Sequence, residues 1–267
     1  MIKVGVAGIA GRMGSRIAQL VCEAPDMVLE GGWERPEHEA VGNPVRRFVP
    51  GFDGDILVAP GIEDVITAVD VVVDFTAPEA SLHHAEVCKR HGKPVVVGTT
   101  GFSKEQCETL IQYASDIPII LAPNMSVGVN VLFKLVEFTA KLLGDDFDVE
   151  IVEAHHRYKK DAPSGTAIKL GQVIAAALGR DFDKVAVYER RGFTGERTRQ
   201  EIGMQTLRGG DIVGEHTILF AGLGERIEIT HRAHSRDTFA RGAIRAVRWI
   251  VDRDAGLYDM HDVLGLK

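Results

Sequence analysis

The densest chemistry in the sequence is a single stretch, Glu153-Ala154-His155-His156-Arg157-Tyr158-Lys159-Lys160-Asp161-Ala162-Pro163-Ser164-Gly165-Thr166-Ala167. From His155 to Lys160, three fixed cations and two imidazoles sit together in a chain whose formal net charge is −7. Directly after them, Ser164 can cap a helix whose first N–H groups, at Gly165 and Thr166, have no partner inside the helix. Cations beside exposed N–H groups make an anion site, and Gly165 lets the backbone approach a ligand oxygen. One charge pair at 4 Å is worth about 4 kcal/mol at an effective dielectric of 20, before desolvation is subtracted. Two cations and a helix end would therefore anchor a small dicarboxylate. Imidazole exchanges protons near neutral pH. A hydride added to a conjugated imine leaves an electron-rich enamine carbon that needs a proton, and His155 and Lys159 are the candidate donors. His156 is a candidate substrate contact. A solvated charge run is the alternative, and the compactness of the group and its Ser-Gly-Thr ending count against it.

A second kind of chemistry opens the chain. Gly8-Ile9-Ala10-Gly11-Arg12-Met13-Gly14 stands between a β-branched run and an amphipathic segment. A turn there aims backbone N–H groups and a helix dipole at one point, which suits a pyrophosphate. Glycine is required where a Cβ would obstruct the turn, the phosphate or the helix–strand contact. The spacing is GxxGxxG, a weaker signal than GxGxxG. Glu34 strengthens it, standing where an acid binds the adenosine ribose hydroxyls of NAD. Arg35 follows immediately and could accept a 2′-phosphate. The two favour opposite cofactors, so NADH and NADPH both stay open.

Two further loops, Gly98-Thr99-Thr100-Gly101 and Ala122-Pro123-Asn124-Met125, follow short apolar runs. In an open α/β sheet ligands bind outside the carboxyl ends of the strands, so both loops should face the nicotinamide half of a dinucleotide. Asp74-Phe75-Thr76 has a similar position.

These residues need elements to hold them. Strands are expected at Lys3 to Ala7, Met27 to Trp33, Val69 to Phe75, Val95 to Val97 and Pro118 to Leu121. Helices are expected from Met13, near Pro78 to His91 and near Lys104 to Ser115. Such alternation argues for right-handed βαβ units and a doubly wound parallel sheet. After Pro123 the rhythm changes to α+β. A long helix (about Val129 to Leu143), a strand at Asp148 to Ala154 and a helix after Ser164 come first. Ile202 to His231 then reads as antiparallel strands, with Arg208-Gly209-Gly210-Asp211 as turn chemistry between two of them. A last helix, near Thr238 to Val251, carries Phe239, Ala243, Val247 and Ile250 on one face. The fold class is thus α/β plus a C-terminal α+β domain with a mostly antiparallel or mixed sheet. The domain boundary falls near residue 126, giving a dinucleotide-binding domain at 1–126 and a substrate and oligomerisation domain at 127–235. Arg190 to Glu201, dense in charges of both signs, reads as a mobile surface loop.

Composition excludes several classes. The 267 residues include 29 glycines, well above the usual ~7%. A pI near 5.8 argues against a nucleic-acid binder. No apolar run approaches the ~18 residues of a membrane span. Cys22, Cys88 and Cys107 form no CxxC, which points to a reduced, cytoplasmic protein. No metal site is expected, because His231 and His234 lack further ligand-spaced Cys or His.

Taken together, the motifs resemble dihydrodipicolinate reductases, also called 4-hydroxy-tetrahydrodipicolinate reductases, of lysine and diaminopimelate biosynthesis. The resemblance rests on VGVAGIAGRMG, DFT at Asp74, GTTG at Gly98, EAHHRYKKDAPSGTA at Glu153, RGGDIVGEHT at Arg208 and GLYDMHDVL near the end. It implies a Rossmann-type first domain, completed by 236–267 returning to it. It also implies a dinucleotide site at Gly8, Ile9, Ala10, Gly11, Arg12, Met13, Glu34, Arg35, Gly98, Thr99, Thr100, Ala122, Pro123, Asn124 and Met125. His155 is implied as proton donor and acceptor and Lys159 as proton donor, with His156, Gly165 and Thr166 on a cyclic dicarboxylate. A homotetramer built through the second domain is implied as well.

Two other readings compete. One is another two-domain dehydrogenase acting on an aldehyde, but an acylating enzyme of that kind needs a cysteine nucleophile, and all three cysteines lie on expected helix faces. The other is a non-catalytic dinucleotide sensor, which would have no use for His155 and Lys159 beside an anion-binding helix end.

Overall fold

Valine and isoleucine runs buried on both faces build a parallel sheet in the first part of the chain. The computed structural model describes residues 1–235 and 237–267. It begins β1 (Ile2–Ala7), α1 (Arg12–Glu23), β2 (Met27–Trp33), β3 (Val71–Asp74), α2 (Pro78–Arg90), β4 (Val95–Val97), α3 (Lys104–Tyr113) and β5 (Pro118–Leu121). There follow α4 (Val127–Leu143), β6 (Asp148–His155), α5 (Gly165–Ala177), α6 (Phe182–Val185), β7 (Ala186–Val187), β8 (Ile202–Arg208), β9 (Gly214–Ala221) and β10 (Arg226–Ala233). The chain ends in α7 (Asp237–Ile250), β11 (Gly256–Tyr258) and α8 (Met260–Leu264). Two compact units result, one formed by Met1–Val127 with Asp237–Lys267 and the other by Gly128–Arg236.

In the first unit the strand order is β11-β5-β4-β3-β1-β2, every pair parallel. The carboxyl ends of β1 to β5 therefore share one edge, and the order reverses between β1 and β3, where such sheets open a crevice. α7 packs on this sheet through Ala240, Ala243, Val247 and Ile250, all fully buried with Val4, Val6 and Ile17. Its ends are tied by Arg16 to Asp237 at 2.6 Å and by Arg248 to Asp26 at 2.7 Å. Gly242 is a required contact, since a Cβ there would lie 1.7 Å from the Met125 carbonyl oxygen.

The second unit carries a five-stranded mixed sheet, ordered β10-β9-β6-β8-β7. Buried residues of α4 (Val129, Leu132, Val136) and α5 (Leu170, Ile174) cover one face, against Ile151, Ile202, Ile218 and Phe220. One sequence expectation fails here. β8 and β9 are not joined as a hairpin; β8 pairs parallel with β6 on one side and β9 antiparallel with β6 on the other. The turn after Arg208 instead crosses the end of β6, with Gly209 N–H donating to the His155 carbonyl and Arg157 N–H to that of Gly210. Residues 190–201 are irregular, as a loop should be, but two arginines tie them down. Arg190 grips Glu150 at 2.9 Å through both terminal nitrogens. Arg197 reaches Asp148, Glu150 and the carbonyls of Val149 and Glu201. In the segment that read as a mobile surface loop, Arg190 and Arg197 are paired with acids of β6.

Candidate active site

In the first unit the glycine-rich turn closes tightly. Gly8 adopts a φ of +63°, which disfavours any side chain. A Cβ on Gly14 would lie 2.0 Å from the Gly8 carbonyl oxygen, so glycine there is a packing requirement. α3, α5 and α8 are capped by Ser103, Ser164 and Asp259, whereas α1 has no side-chain cap and no acid in its first turn. Its first N–H groups and positive dipole end are thus left for an anion. Glu34 accepts the Ala10 N–H at 2.9 Å through Oε1, fixing the acid against the turn. Arg35 is exposed, like Arg12, and neither side chain has an ion pair among the described residues. A cavity of about 490 Å³ opens here, lined by Gly8, Trp33, Glu34, Arg35, Thr76 and His83 among others. The uncapped helix end, the Cβ-free turn and the acid at the β2 end fit a dinucleotide.

The other loops of this edge are held from behind by a buried polar network. Asp74, 0% exposed, accepts Thr76 N–H at 2.8 Å and Thr76 Oγ1–H at 2.6 Å, and contacts His84 Nδ1 at 2.7 Å. His84 Nε2 accepts the Trp33 indole N–H at 3.0 Å, so Nδ1 carries the proton given to Asp74. Thr99 Oγ1 lies 3.4 Å from Asp74 and accepts the Ser81 hydroxyl at 2.7 Å. Burial alone would raise the Asp74 carboxyl, but His84 and Thr76 outweigh it and hold it below the usual carboxylate range. The Thr99 hydroxyl therefore points into the protein. Thr100 is exposed, while the side chains of Ile9, Ala122 and Met125 are buried in the core. These last residues can present only backbone to a ligand. Gly98 is held by its N–H to the Asp74 carbonyl, Ser126 N–H donates to the Asn124 side chain, and Pro123 is exposed.

In the second unit the cluster converges on Glu153. Along β6 the alternation Val149, Ile151, Glu153 puts this acid where the pattern calls for an apolar residue, and it is 1% exposed. Arg208 at the end of β8 donates to both its oxygens, at 2.8 and 2.9 Å. Ser164 N–H donates to it at 2.9 Å and His155 Nδ1 lies 2.6 Å away. Burial pushes the Glu153 carboxyl up, and Arg208, His155 and Ser164 together bring it below its ordinary value. Burial lowers the His155 imidazole; Glu153 opposes this, while Lys159 and Arg208 add to it. His216 on β9 stands edge-on to His155, ring centroids 5.3 Å apart, with Nε2 at 3.2 Å from Ser164 Oγ. Its burial, helped by His155, pushes it down to about 4.

Ser164 caps α5 through the Ala167 N–H, and Gly165 is exposed, with open space where a Cβ would be. Lys159 Nζ pairs with Asp161 at 2.9 Å. His156 Nδ1 is buried without a hydrogen-bond partner among the described residues. His155, His156, Lys159 and the α5 N-terminus thus belong to one unit and one strand end. Sequence reading missed the roles of Arg208, His216 and Thr206, which meet Glu153 and His155 only through strand register: Thr206 and His216 oppose Glu153, and Arg208 opposes His155. The broken alternation at Glu153 was the one signal in the sequence. His84 and Trp33 had none.

Comparison with known proteins places this arrangement. A sequence model of the dihydrodipicolinate reductase N-terminus matches residues 2–125, and one of its C-terminus matches residues 128–264. A 4-hydroxy-tetrahydrodipicolinate reductase from Syntrophobacter fumaroxidans is 57% identical over 267 residues, and one from Geobacter sp. strain M21 is 56% identical over 268, each match covering 100% of both chains. Among solved structures, the dipicolinate-bound dihydrodipicolinate reductase from Paenisporosarcina sp. TG-14 matches with a TM-score of 0.75 and 26% identity, over 97% of each chain. An amine dehydrogenase from Mycobacterium smegmatis, 15% identical with a TM-score of 0.59 over 96% of this chain and 94% of that one, shares the fold alone. With both halves matched and relatives more than half identical along the whole length, the chain belongs to the dihydrodipicolinate reductase family.

Proposed function

We propose that the protein reduces 4-hydroxy-tetrahydrodipicolinate to tetrahydrodipicolinate, with loss of water, in lysine and diaminopimelate biosynthesis. The observation that carries this reading is the strand end at which Glu153, His155 and Arg208 meet the N-terminus of α5. A bound, reduced nicotinamide supplies the hydride. His156, Lys159 and the N–H groups of Gly165 and Thr166 hold the dicarboxylate, each carboxylate finding charge or backbone donors. Once water has left the ring and hydride has added, an electron pair rests on the neighbouring enamine carbon. Lys159 Nζ, or His155 Nε2 once it has taken up a proton, gives that carbon a proton. Reduced cofactor, substrate and one proton are consumed; oxidised cofactor, water and product are formed.

In the first unit the backbone of Gly8 to Met13 holds the pyrophosphate, Glu34 the adenosine ribose and Arg35 a 2′-phosphate. Gly98, Thr99 and Thr100, with Ala122, Pro123, Asn124 and Met125, line the nicotinamide. Dual use of NADH and NADPH is supported by the adjacent Glu34 and Arg35. We place the enzyme in the cytoplasm, acting on a small molecule; its cysteines carry free thiols. A homotetramer is supported by the outer face of the second sheet, where Val152, Thr217 and Leu219 are half-buried and Leu207 is exposed.

The test is reduced-nicotinamide oxidation with substrate freshly made by a synthase. Wild-type protein should turn over with NADH and with NADPH. Lys159→Ala should lower kcat by roughly 10²–10⁴-fold, the range of a general acid, and leave NADH affinity unchanged. Wild-type-like turnover in that variant would remove Lys159 from the chemistry.

A further inference from the structure

We infer that Glu153 is the positioning residue of the proton relay: its carboxylate fixes the tautomer of His155 so that Nε2 is the nitrogen that exchanges protons. The inference deepens the reductase reading and rests on it for the kinetic part only.

The donor count argues it. Glu153 Oε1 accepts Ser164 N–H at 2.9 Å, Arg208 Nη2–H at 2.9 Å and Thr206 Oγ1–H at 3.3 Å. Oε2 accepts Arg208 Nη1–H at 2.8 Å and faces His155 Nδ1 at 2.6 Å. Arginine and a backbone N–H can only donate. Three of the five contacts come from groups of this kind, two of them from the charged Arg208 guanidinium, and they hold the carboxyl ionised, below its ordinary range, so that it acts as acceptor. His155 Nδ1 must then carry the hydrogen, and Nε2 is the nitrogen left with a lone pair. An imidazole fixed at one nitrogen by a carboxylate presents the other in a defined direction. The Nε2 edge lies over Gly214, where an added Cβ would come within 3.1 Å of it, so glycine at this position keeps a side chain from crowding that nitrogen. When Nε2 takes up a proton, the imidazolium faces a fixed negative charge. Glu153 Oε1 also holds the Ser164 N–H at the start of α5, a contact that an amide oxygen can keep.

Glu153→Gln keeps the shape and replaces the charge by an amide whose NH₂ can donate to Nδ1. The hydrogen of neutral His155 then moves to Nε2. In a carboxylate–imidazole pair the wrong tautomer costs about 10⁴-fold in turnover. We expect kcat to fall by roughly 10²–10⁴-fold while dipicolinate affinity, measured by calorimetry on the whole protein, changes less than about threefold. Glu153→Asp, which keeps the charge, should recover part of kcat. Nitrogen-15 NMR of the ring, assigned by the signal lost in His155→Gln, should show Nδ1–H in wild type and Nε2–H in Glu153→Gln. Should Glu153→Gln fail to fold, the wild-type spectrum still decides. A wild-type Nε2–H tautomer, or a Glu153→Gln variant with unchanged kcat and tautomer, would overturn the inference. A wild type that oxidises no nicotinamide in the presence of substrate would instead sink the reductase reading, leaving the tautomer result to stand on its own.

Discussion

At the scale of single residues, charge placement separates holding from reacting. Arg208 spends its terminal nitrogens on Glu153, on the Asp161 carbonyl and on its neighbour's carbonyl, so it braces the strand end. Among the described residues Lys159 has its one ion pair with exposed Asp161, a contact that water can exchange. In the first unit Arg35, like Arg12, is exposed and has no ion pair among the described residues, and it stands one residue beyond the acid that grips the glycine-rich turn. A charge-assisted contact is worth about 1.5–3 kcal/mol, or roughly 10–100-fold in affinity. Arg35→Ala should accordingly raise KM for NADPH by about that factor and leave KM for NADH nearly unchanged. Equal effects in steady-state assays with the two cofactors would mean that Arg35 does not meet the 2′-phosphate.

Elements decide which of these residues meet. The parallel sheet of the first unit was legible because its strands are near-continuous Val and Ile between helical periods, and β3 and β4 appear close to their expected limits. The second sheet was only partly legible. Sequence neighbours usually pair in space, and a Gly-Gly turn after Arg208 invites a hairpin; instead β6 lies between β8 and β9. No local pattern carries that order, yet it brings Thr206, Arg208 and His216 to Glu153 and His155. The polar strand ends have a consequence for stability. The folded-state value of His216 is about 4, below the ~6.5 of an unperturbed imidazole. As pH falls between those values the unfolded chain takes up a proton that the native strand end refuses, so stability falls. The loss approaches roughly 3 kcal/mol at about 1.4 kcal/mol per unit. His155 and His231 shift in the same direction. Glu153 and Asp74 lie below their usual range, so their contribution persists above it and is lost only as pH drops further. Urea midpoints should therefore decline steadily from pH 6.5 to 4.5, and less steeply in His216→Gln. A flat wild-type profile across that interval would contradict the buried, neutral imidazole.

Over the whole molecule, the chain assigns two tasks to two units. The first, completed by α7, β11 and α8, offers an uncapped helix end and an acid beside it; the second offers a braced imidazole and the Ser164-capped start of α5. Among the described residues no helix is long and apolar enough to cross a membrane. The candidate residues were legible where they were consecutive, as in the His155 to Thr166 run, and obscure where partners stand far apart in sequence, as with Trp33 and His84 or Glu153 and Arg208. The central claim is that hydride passes from a nicotinamide to the cyclic dicarboxylate. Its most direct test is the mass of the product formed from synthase-generated substrate and nicotinamide cofactor carrying deuterium in the transferable position at C4. The account predicts tetrahydrodipicolinate with one deuterium on a ring carbon, in step with cofactor oxidation. Cofactor oxidation without label in the product, or product formed without cofactor oxidation, would contradict it.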